Sequence, residues 1–232
     1  MVIKLYDLVA AEENRAFSPF CWRIHMALAH KNLEVKIIPW RLTEKEAIAF
    51  SNQETVPVIV DGNKGDKVVA DSWNIANYLE ETYPDKPSLF GSYEAKSQTM
   101  FIDSWNSSLL GILAPIVLYD VFENIDPKDQ PYFRESRESF LGKSLEEFKD
   151  VTENQINNFQ SFLEPLRNTI SQQFFLAGET PNYADYLVFS TFQFARAMSP
   201  KKLLETSDPV YAWREKMLDL FDGIGRKNLG FN

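Results

Sequence analysis

The hydrophobic pattern of this chain changes period near residue 85, and that change constrains the fold more than any other feature. Before it, short alternating runs that predict strands are interleaved with runs at helical spacing, whereas after it only helical spacing remains. In a chain of 232 residues, such a change predicts two small domains. The turn-forming segment 84–92, which contains Pro84 and Pro87, separates residues 1–85 from residues 93–232. We therefore predict an α/β domain followed by an all-α domain.

The first domain is predicted to follow the order β-α-β and then, after an irregular or helical connection, β-β-α. Its strands are expected at residues 2–8, 33–40, 58–60 and 68–70, and its helices at residues 20–30 and 72–83. Turn formers at residues 61–66 predict a hairpin between the last two strands. In the second domain, helices are expected at residues 94–121, bent at Pro115, and at residues 146–170, 182–198 and 209–221.

Charge and cysteine content argue against several classes of partner. The chain has 33 acidic and 24 basic residues and a net charge of −9, so nucleic acid and anionic membranes are poor candidates. The longest uncharged run, residues 104–119, is shorter than the roughly 20 residues of a membrane span and predicts a buried helix. Cys21 is the only cysteine, and His25 and His30 do not share a helix face, so neither an intrachain disulfide nor a metal site is expected. We expect a cytoplasmic protein.

A serine and a proline mark the predicted start of the first helix, in Ser18-Pro19-Phe20-Cys21. Proline in the first turn favours a helix start, and serine is a common N-cap. A side chain at that place also faces unpaired backbone N–H groups and the positive end of the helix dipole, so it can stabilise an anion. On spacing alone, a plain N-cap and an anion-binding serine both fit Ser18.

Two further features precede a predicted strand and a predicted helix. Pro57 is allowed at a strand start although it cannot donate to a sheet ladder, and a cis bond there would turn the main chain of Val56 towards an extended ligand. A plain edge-strand proline is the alternative.

Asp71 and Ser72 open the next helix, where they form a capping pair or hold the ammonium and carboxylate of an amino-acid end.

The order and spacing of these features resemble a glutathione transferase. The resemblance rests on the Ser18–Cys21 motif, on Val56-Pro57 and on Asp71-Ser72, followed by an all-helical half. Farther along, residues 178–185 are similar to the family's helix-start box, in which the cap, here Asn182, and Asp185 satisfy each other's backbone N–H groups. The resemblance implies a thioredoxin-like, glutathione-binding domain at residues 1–85 and an all-helical domain at residues 93–232 that contributes the hydrophobic substrate site.

Serine at position 18 separates subclasses of that family. Omega-type transferases and glutaredoxins have a cysteine there, and a serine cannot form a mixed disulfide with glutathione, so thiol-transfer chemistry is disfavoured. Cys21 is expected to pack in the core. The pattern is more similar to bacterial β-etherases and the related fungal-specific class, which use glutathione against bulky aromatic ligands, including aryl ethers. The resemblance thus implies a serine-type transferase for aromatic electrophiles, and the alternative is a ligandin, a carrier of aromatic compounds with little turnover.

The resemblance also implies a role for each site residue. Ser18 Oγ, with the Phe20 backbone N–H, is expected to donate to the glutathione sulfur. The main chain of Val56 is expected to bond the cysteinyl unit of glutathione. Asp71 and Ser72 are expected to hold its γ-glutamyl end.

The glycyl carboxylate of glutathione needs a donor, for which Gln53 and Arg41 are the candidates. Pro57, Asn182 and Asp185 are predicted to be structural. Four residues are candidates for contact with the hydrophobic substrate, although core packing is the favoured interpretation of each: Leu109, Ile112, Leu113 and Phe231. Glutathione is expected as a co-substrate, with no tightly bound cofactor, and the resemblance alone predicts a homodimer.

Overall fold

The sheet of the first half has four strands in the order β2-β1-β3-β4. The computed structural model describes residues 2–231, in which the strands are β1 (Ile3–Leu8), β2 (Val35–Trp40), β3 (Val58–Asp61) and β4 (Lys67–Ala70). β1 is parallel to β2 and antiparallel to β3, and β3 and β4 form the predicted hairpin. Helices α1 (Pro19–His30) and α2 (Ser72–Thr82) follow β1 and β4. The predicted thioredoxin-like arrangement is confirmed.

The second half is all-helical, as predicted. Its helices are α3 (Tyr93–Asn124), α4 (Gln130–Leu141), α5 (Glu153–Phe162), α6 (Glu164–Ile170), α7 (Tyr183–Met198) and α8 (Pro209–Lys227). Helix α4 is absent from the sequence prediction, because Phe133 is its only buried residue and most of its other residues are polar. A helix with so small an apolar face has little periodicity to detect.

The single helix predicted at residues 146–170 is wrong. The structure has a short 3-10 helix at Leu145–Phe148 and then the separate helices α5 and α6. Thr152 starts α5 with a capping box to Gln155, and Pro165 lies in the first turn of α6, where its missing N–H breaks no helix bond. Helix α8 passes the predicted end at residue 221 after non-helical backbone at residues 220–223.

Helix α3 is the longest element and packs against α7. By length and composition it is apolar enough to cross a membrane, a test that the core helices of folded domains also pass. Leu109, Leu113 and Val117 are fully buried in the hydrophobic core, and the helix continues through Pro115.

Helix α7 joins the two halves. It is buried at 14 of its 16 residues and packs against α1, α3 and α8. The Tyr186 hydroxyl lies 2.6 Å from Nδ1 of His30 in α1, and the Phe189 ring meets the Trp22 ring edge-on at 6.4 Å. Because α1 belongs to the sheet domain, α7 fixes where the helical half sits against it.

A buried carboxylate organises the start of α7. Asp185 is fully buried and accepts hydrogen bonds from the backbone N–H groups of Leu176 (2.8 Å), Ala177 (3.3 Å) and Asn182 (3.2 Å). It also accepts one from the Trp213 indole at 3.2 Å. The Asn182 side chain caps the first turn in return, so the predicted capping box is present. Both carboxylate oxygens are therefore acceptors for the chain around them.

We expect Asp185→Asn to destabilise the protein by about 2–4 kcal/mol. The amide puts an NH₂ group where two N–H donors already point, which leaves buried donors without acceptors. Urea unfolding followed by circular dichroism measures the change. An unchanged unfolding midpoint would contradict the role of this carboxylate.

The same pair of proteins should show a pH-dependent difference in stability. Burial raises the pKa of Asp185 from its ordinary 3.8 to about 6, although four hydrogen bonds oppose the shift. The folded state then binds the Asp185 proton more tightly than the unfolded state does. The stability gained from this tighter proton binding is fully present below about pH 4 and is lost as the pH rises through 6. Unfolding free energies measured between those values should show the wild-type advantage over Asp185→Asn growing as the pH falls.

Candidate functional site

A cavity of about 590 Å³ lies where the two halves meet, a size typical of small-molecule sites. Its polar wall comes from three loops of the first half, and its apolar wall comes mainly from helices of the second half. The predicted site residues that line it are Ser18, Phe20, Gln53, Val56, Pro57, Asp71 and Ser72. These residues, far apart in sequence, therefore meet at one place.

Ser18 caps α1 and still has a donor to offer. The residue is 4% exposed, and its Oγ accepts a hydrogen bond from the Cys21 N–H at 3.2 Å. A hydroxyl carries one donor and two acceptor positions. Capping uses acceptor capacity only, so the O–H remains available to donate to a ligand in the cavity. The two interpretations of this serine are compatible.

The first turn of α1 leaves one backbone donor beside Ser18. Pro19 has no N–H, and the N–H of Cys21 is bonded to Ser18. The N–H of Phe20 has no carbonyl within the helix to bond, because its acceptor would precede the first turn. This N–H and the positive end of the helix dipole favour a negative charge next to Ser18.

Cys21 packs in the core, as expected. It is fully buried, and burial raises the pKa of its thiol well above the usual range, with the nearby charge of Asp7 adding to the effect. Since only a thiolate is a strong nucleophile, Cys21 is not the reactive group of this cavity.

The loop before β3 presents an unused main-chain segment to the cavity. The Val56-Pro57 peptide is cis, and the Pro57 carbonyl accepts from the Asp71 N–H at 3.3 Å, which ties this loop to the start of α2. Within residues 2–231, neither the N–H nor the carbonyl of Val56 forms a backbone hydrogen bond. Both groups can therefore pair with an extended peptide, as an added strand would.

Asp71 and Ser72 combine capping with free polar groups. One oxygen of Asp71, Oδ1, accepts from the N–H groups of Trp73 and Asn74, both at 3.0 Å. Oδ2 has no hydrogen-bond partner among the described residues and can accept from a cation. The buried Ser72 is the first residue of α2, where its N–H has no helix carbonyl to bond. The Ser72 carbonyl accepts from the Tyr183 hydroxyl of α7 at 3.0 Å.

A buried ion pair behind this region is absent from the sequence prediction. Arg23 is 3% exposed, lies 3.0 Å from the Asp103 carboxylate of α3 and stacks its guanidinium over the Phe20 ring at 4.7 Å. Among the described residues, its Nε and Nη2 have no hydrogen-bond partner. Proximity to Ser18 in α1 could have singled out Arg23, but no local signal pairs it with a residue 80 positions later.

The structure corrects the expectation for Arg41. Its Nε lies 3.1 Å from the carboxylate of Asp126 and its Nη2 donates to Ala11 at 3.4 Å, so the side chain does not line the cavity. Lys45 lines the cavity instead, together with Gln53. One donor of the Lys45 ammonium bonds the Glu54 carbonyl at 2.7 Å, and the group carries three donors.

A second buried carboxylate holds α4 against this loop. Asp129 is 1% exposed and accepts from the N–H groups of Leu42 (3.0 Å) and Thr43 (3.1 Å) and from the Thr43 hydroxyl (2.6 Å). Leu42 and Lys45 both line the cavity. The contact therefore fixes the distance between the polar and apolar walls, and nothing near Asp129 in sequence indicates it.

The α3 side of the apolar wall lies one residue away from the predicted one. Leu110, Ala114, Leu118 and Val121 line the cavity at spacings of four, four and three residues, which is one helix face. The three α3 residues named as candidates for substrate contact therefore do not line the cavity, and core packing, the favoured interpretation, holds for the two that are fully buried. Those three are Leu109 and Leu113, both fully buried, and Ile112, which packs against the core.

Other helices complete the wall. Phe194 comes from α7, and Tyr132, Phe133 and Arg137 come from α4. Phe231 does not line this cavity, because its ring packs 5.3 Å from the Arg15 guanidinium. The possibility that Phe231 contacts the hydrophobic substrate is therefore corrected as well.

The arrangement suits a zwitterionic peptide that carries a further anionic group, together with an apolar partner. Ser18 and the helix start favour an anion, the free oxygen of Asp71 favours an ammonium, and Lys45 favours a carboxylate. In residues 2–231 no three histidine, cysteine or acidic side chains cluster as metal ligands.

Comparison with known proteins matches both halves to one family. The model of the glutathione S-transferase N-terminal domain matches residues 17–82, and that of the C-terminal domain matches residues 97–217. Mouse glutathione S-transferase omega-1 is 27% identical over 203 residues, covering 87% of this chain and 73% of the mouse protein. The glutathione S-transferase-like protein ustS of Aspergillus flavus is 31% identical over 130 residues, covering 51% of this chain and 47% of that protein.

Solved structures share the whole fold. Glutathione transferase GSTFuA3 from Phanerochaete chrysosporium has a TM-score of 0.77 at 28% identity, covering 98% of this chain and 94% of that one. A glutathione S-transferase of Ceriporiopsis subvermispora in complex with glutathione has a TM-score of 0.79 at 23% identity, covering 99% and 95%, a likeness of fold. With both domain models matched and the cavity residues assembled between them, the chain belongs to the glutathione S-transferase family.

Proposed function

We propose that this protein is a serine-type glutathione transferase in which Ser18 activates the thiol of glutathione. The observation that carries the proposal is the state of the Ser18 hydroxyl, which caps α1 as an acceptor and keeps its O–H free in the cavity. A thiolate at this position receives that O–H and the N–H of Phe20. A cysteine here would instead form a mixed disulfide, and the one cysteine of the chain is buried.

The energies are sufficient without a metal or a general base. An unperturbed thiol of pKa about 8.5 is about 3% ionised at pH 7, and lowering its pKa by about two units requires about 2.7 kcal/mol. One hydrogen bond to a charged acceptor contributes about 1.5–3 kcal/mol. The helix start adds about 0.3–1 kcal/mol. Together these contributions make most of the bound thiol a thiolate at neutral pH.

The polar wall supports one orientation of glutathione. The unpaired main chain of Val56 takes the cysteinyl unit, as an added strand does. The ammonium of the γ-glutamyl end lies at the free oxygen of Asp71, and its carboxylate lies at the N–H and hydroxyl of Ser72. Gln53 and Lys45 take the glycyl carboxylate, with Lys45 in the place first expected for Arg41.

The activated thiolate then attacks an aromatic electrophile held against the apolar wall. The carbon–sulfur bond forms as the bond to the leaving group breaks, and a halide or a phenolate departs with its electron pair. A phenolate leaving group corresponds to cleavage of an aryl ether. Leu110, Ala114 and Phe194 supply apolar contacts suited to an aromatic ring.

Ser18→Ala should lower kcat/KM with an aryl halide about 10- to 100-fold, since it removes one hydrogen bond to a charged sulfur. The ultraviolet absorbance of the thiolate, measured on mixing glutathione with protein at neutral pH, should also disappear in the variant. Ser92→Ala is the matched control, because Ser92 caps α3 with the same 3.2 Å bond from the N–H three residues later but lies outside the cavity.

Two outcomes of that comparison decide between activities. Loss of the thiolate signal in Ser18→Ala with retention in Ser92→Ala supports Ser18 as the activator. Absence of the signal in the wild type, with glutathione still binding by calorimetry, would overturn the mechanism. The ligandin alternative would then account for the cavity.

Lys45→Gln should raise the KM for glutathione about 10-fold and leave kcat nearly unchanged, because it removes a charged partner of the glycyl carboxylate that does not touch the sulfur. Arg41→Gln is the control and should leave that KM unchanged, since Arg41 pairs with Asp126. A larger KM change in Arg41→Gln than in Lys45→Gln would reverse the assignment.

We also propose a homodimer formed through α3. Tyr93, Met100 and Phe101 share one face of that helix and are 82%, 57% and 76% exposed. An apolar face of this kind is typical of a protein–protein contact. Phe50, 48% exposed, is a further apolar side chain available to a partner.

Phe101→Asp should convert the dimer to a monomer of 26.8 kDa, measured by light scattering, because a charge in the buried centre of an interface opposes association. Phe140→Asp is the matched control, since Phe140 is 85% exposed on α4 and outside this face. A wild-type mass of one chain would refute the dimer.

A further inference from the structure

We infer that the aromatic substrate carries an anionic group, such as a carboxylate, and that Arg137 recognises it. This inference rests on the proposed transferase function and assigns Arg137 a role in substrate specificity. No catalytic step is assigned to Arg137. The argument depends on the surroundings of this guanidinium, on the charges of glutathione, and on the chemistry of the wall around it.

Arg137 is a cation in the apolar wall, and no carboxylate of the described residues neutralises its charge. It is half-buried, lies over the Phe133 ring at 4.9 Å and donates to the Ser136 hydroxyl at 3.1 Å. Within residues 2–231 it forms no ion pair. By contrast Arg134, one turn earlier on α4, bonds the carboxylates of Glu138 and Glu146 at 2.7 and 2.8 Å. The guanidinium charge of Arg137 is therefore available to an anion in the cavity.

The charges of glutathione do not use Arg137. In the proposed orientation, Asp71 takes the ammonium, and Ser72 and Lys45 take the two carboxylates. Ser18 takes the ionised sulfur. Every charge of the co-substrate then has a partner in the polar wall, and Arg137 is the charged group that remains for the second substrate.

The position of Arg137 favours a planar anion on an aromatic body. A guanidinium has two parallel N–H donors and can form a bidentate pair of hydrogen bonds with a carboxylate. Phe133, Phe194 and Val121 line the cavity as well and offer apolar and aromatic contacts to the ring of such a molecule. Apolar neighbours lower the local dielectric constant, so the attraction between opposite charges is stronger here than in bulk solvent.

Two substrates of similar shape, one anionic and one neutral, test the inference. One is a chloronitrobenzoate with chlorine para to the carboxylate and nitro ortho to chlorine, and the other is the corresponding benzamide. With either, the glutathione thiolate forms a bond to the carbon that bears chlorine, the carbon–chlorine bond breaks, and chloride leaves with its electron pair, while the thiol proton goes to solvent. Each kcat/KM is divided by the uncatalysed rate constant with glutathione, because the two rings differ in intrinsic reactivity.

Arg137→Gln should lower kcat/KM for the benzoate about 10- to 100-fold, the range for one hydrogen bond between charged groups, and change the benzamide less than about threefold. Arg137→Lys keeps the charge without the fork and should recover part of the loss. Arg134→Gln is the matched control on the same helix and should leave the preference for the benzoate unchanged.

Other results overturn the inference or the function beneath it, and they are distinguishable. Equal losses on both substrates in Arg137→Gln would make Arg137 a structural residue. A raised KM for glutathione with both substrates would assign Arg137 to the co-substrate. If the wild type turns over neither substrate yet binds the benzoate through Arg137 by calorimetry, the transferase proposal fails while the anion site stands.

Discussion

The buried carboxylate of Asp185 is the contact on which both halves of the molecule depend. It gathers the backbone before α7 and the indole of Trp213 in α8 around the first turn of α7. The helix that starts there then packs against α1, α3 and α8. Through Tyr183, the first residue of α7, it reaches the carbonyl of Ser72 at the cavity. A charge taken out of water and fully hydrogen-bonded thus sets the position of a binding site that it never touches.

Asp129 holds two segments together at the opposite side of the cavity, as Asp185 holds segments together around the start of α7. Its carboxylate joins the start of α4 to the loop after β2, and so connects the helix that carries Arg137 to the loop that carries Lys45. In both places a carboxylate accepts several N–H donors from another segment, a geometry that fixes position more tightly than apolar packing does.

Local chemistry explains which parts of the site were predictable from the sequence. Ser18, Val56 and Asp71 lie at helix or strand starts, where a few neighbouring residues decide the backbone conformation, and all three reach the cavity. The prediction for Arg41 differs from the structure because its partner, Asp126, comes 85 residues later in the sequence. No neighbour in sequence distinguishes Arg41 from Lys45, and only the folded loop does.

The same distinction applies to the fold. The strands and α1, α2, α3 and α7 follow from periodic apolar residues that face a core. The hydrophobic pattern does not predict helix α4, because only one of its residues, Phe133, is buried. The division between α5 and α6 depends on helix caps within a continuous polar-apolar pattern. On α3, the core face and the cavity face are one residue apart. Leu109 and Leu110 are chemically alike, so pattern alone cannot assign them.

The burial of Cys21 has a consequence for the durability of such a protein. A molecule that brings reactive electrophiles next to a sulfur nucleophile exposes its own nucleophiles to the same reagents. Its single thiol, that of Cys21, lies three residues from Ser18 in the first turn of α1, yet it is fully buried, and burial raises its pKa. In the proposed reaction the reacting sulfur belongs to glutathione and is replaced with each turnover, so the buried thiol of the protein is protected from alkylation by the electrophile.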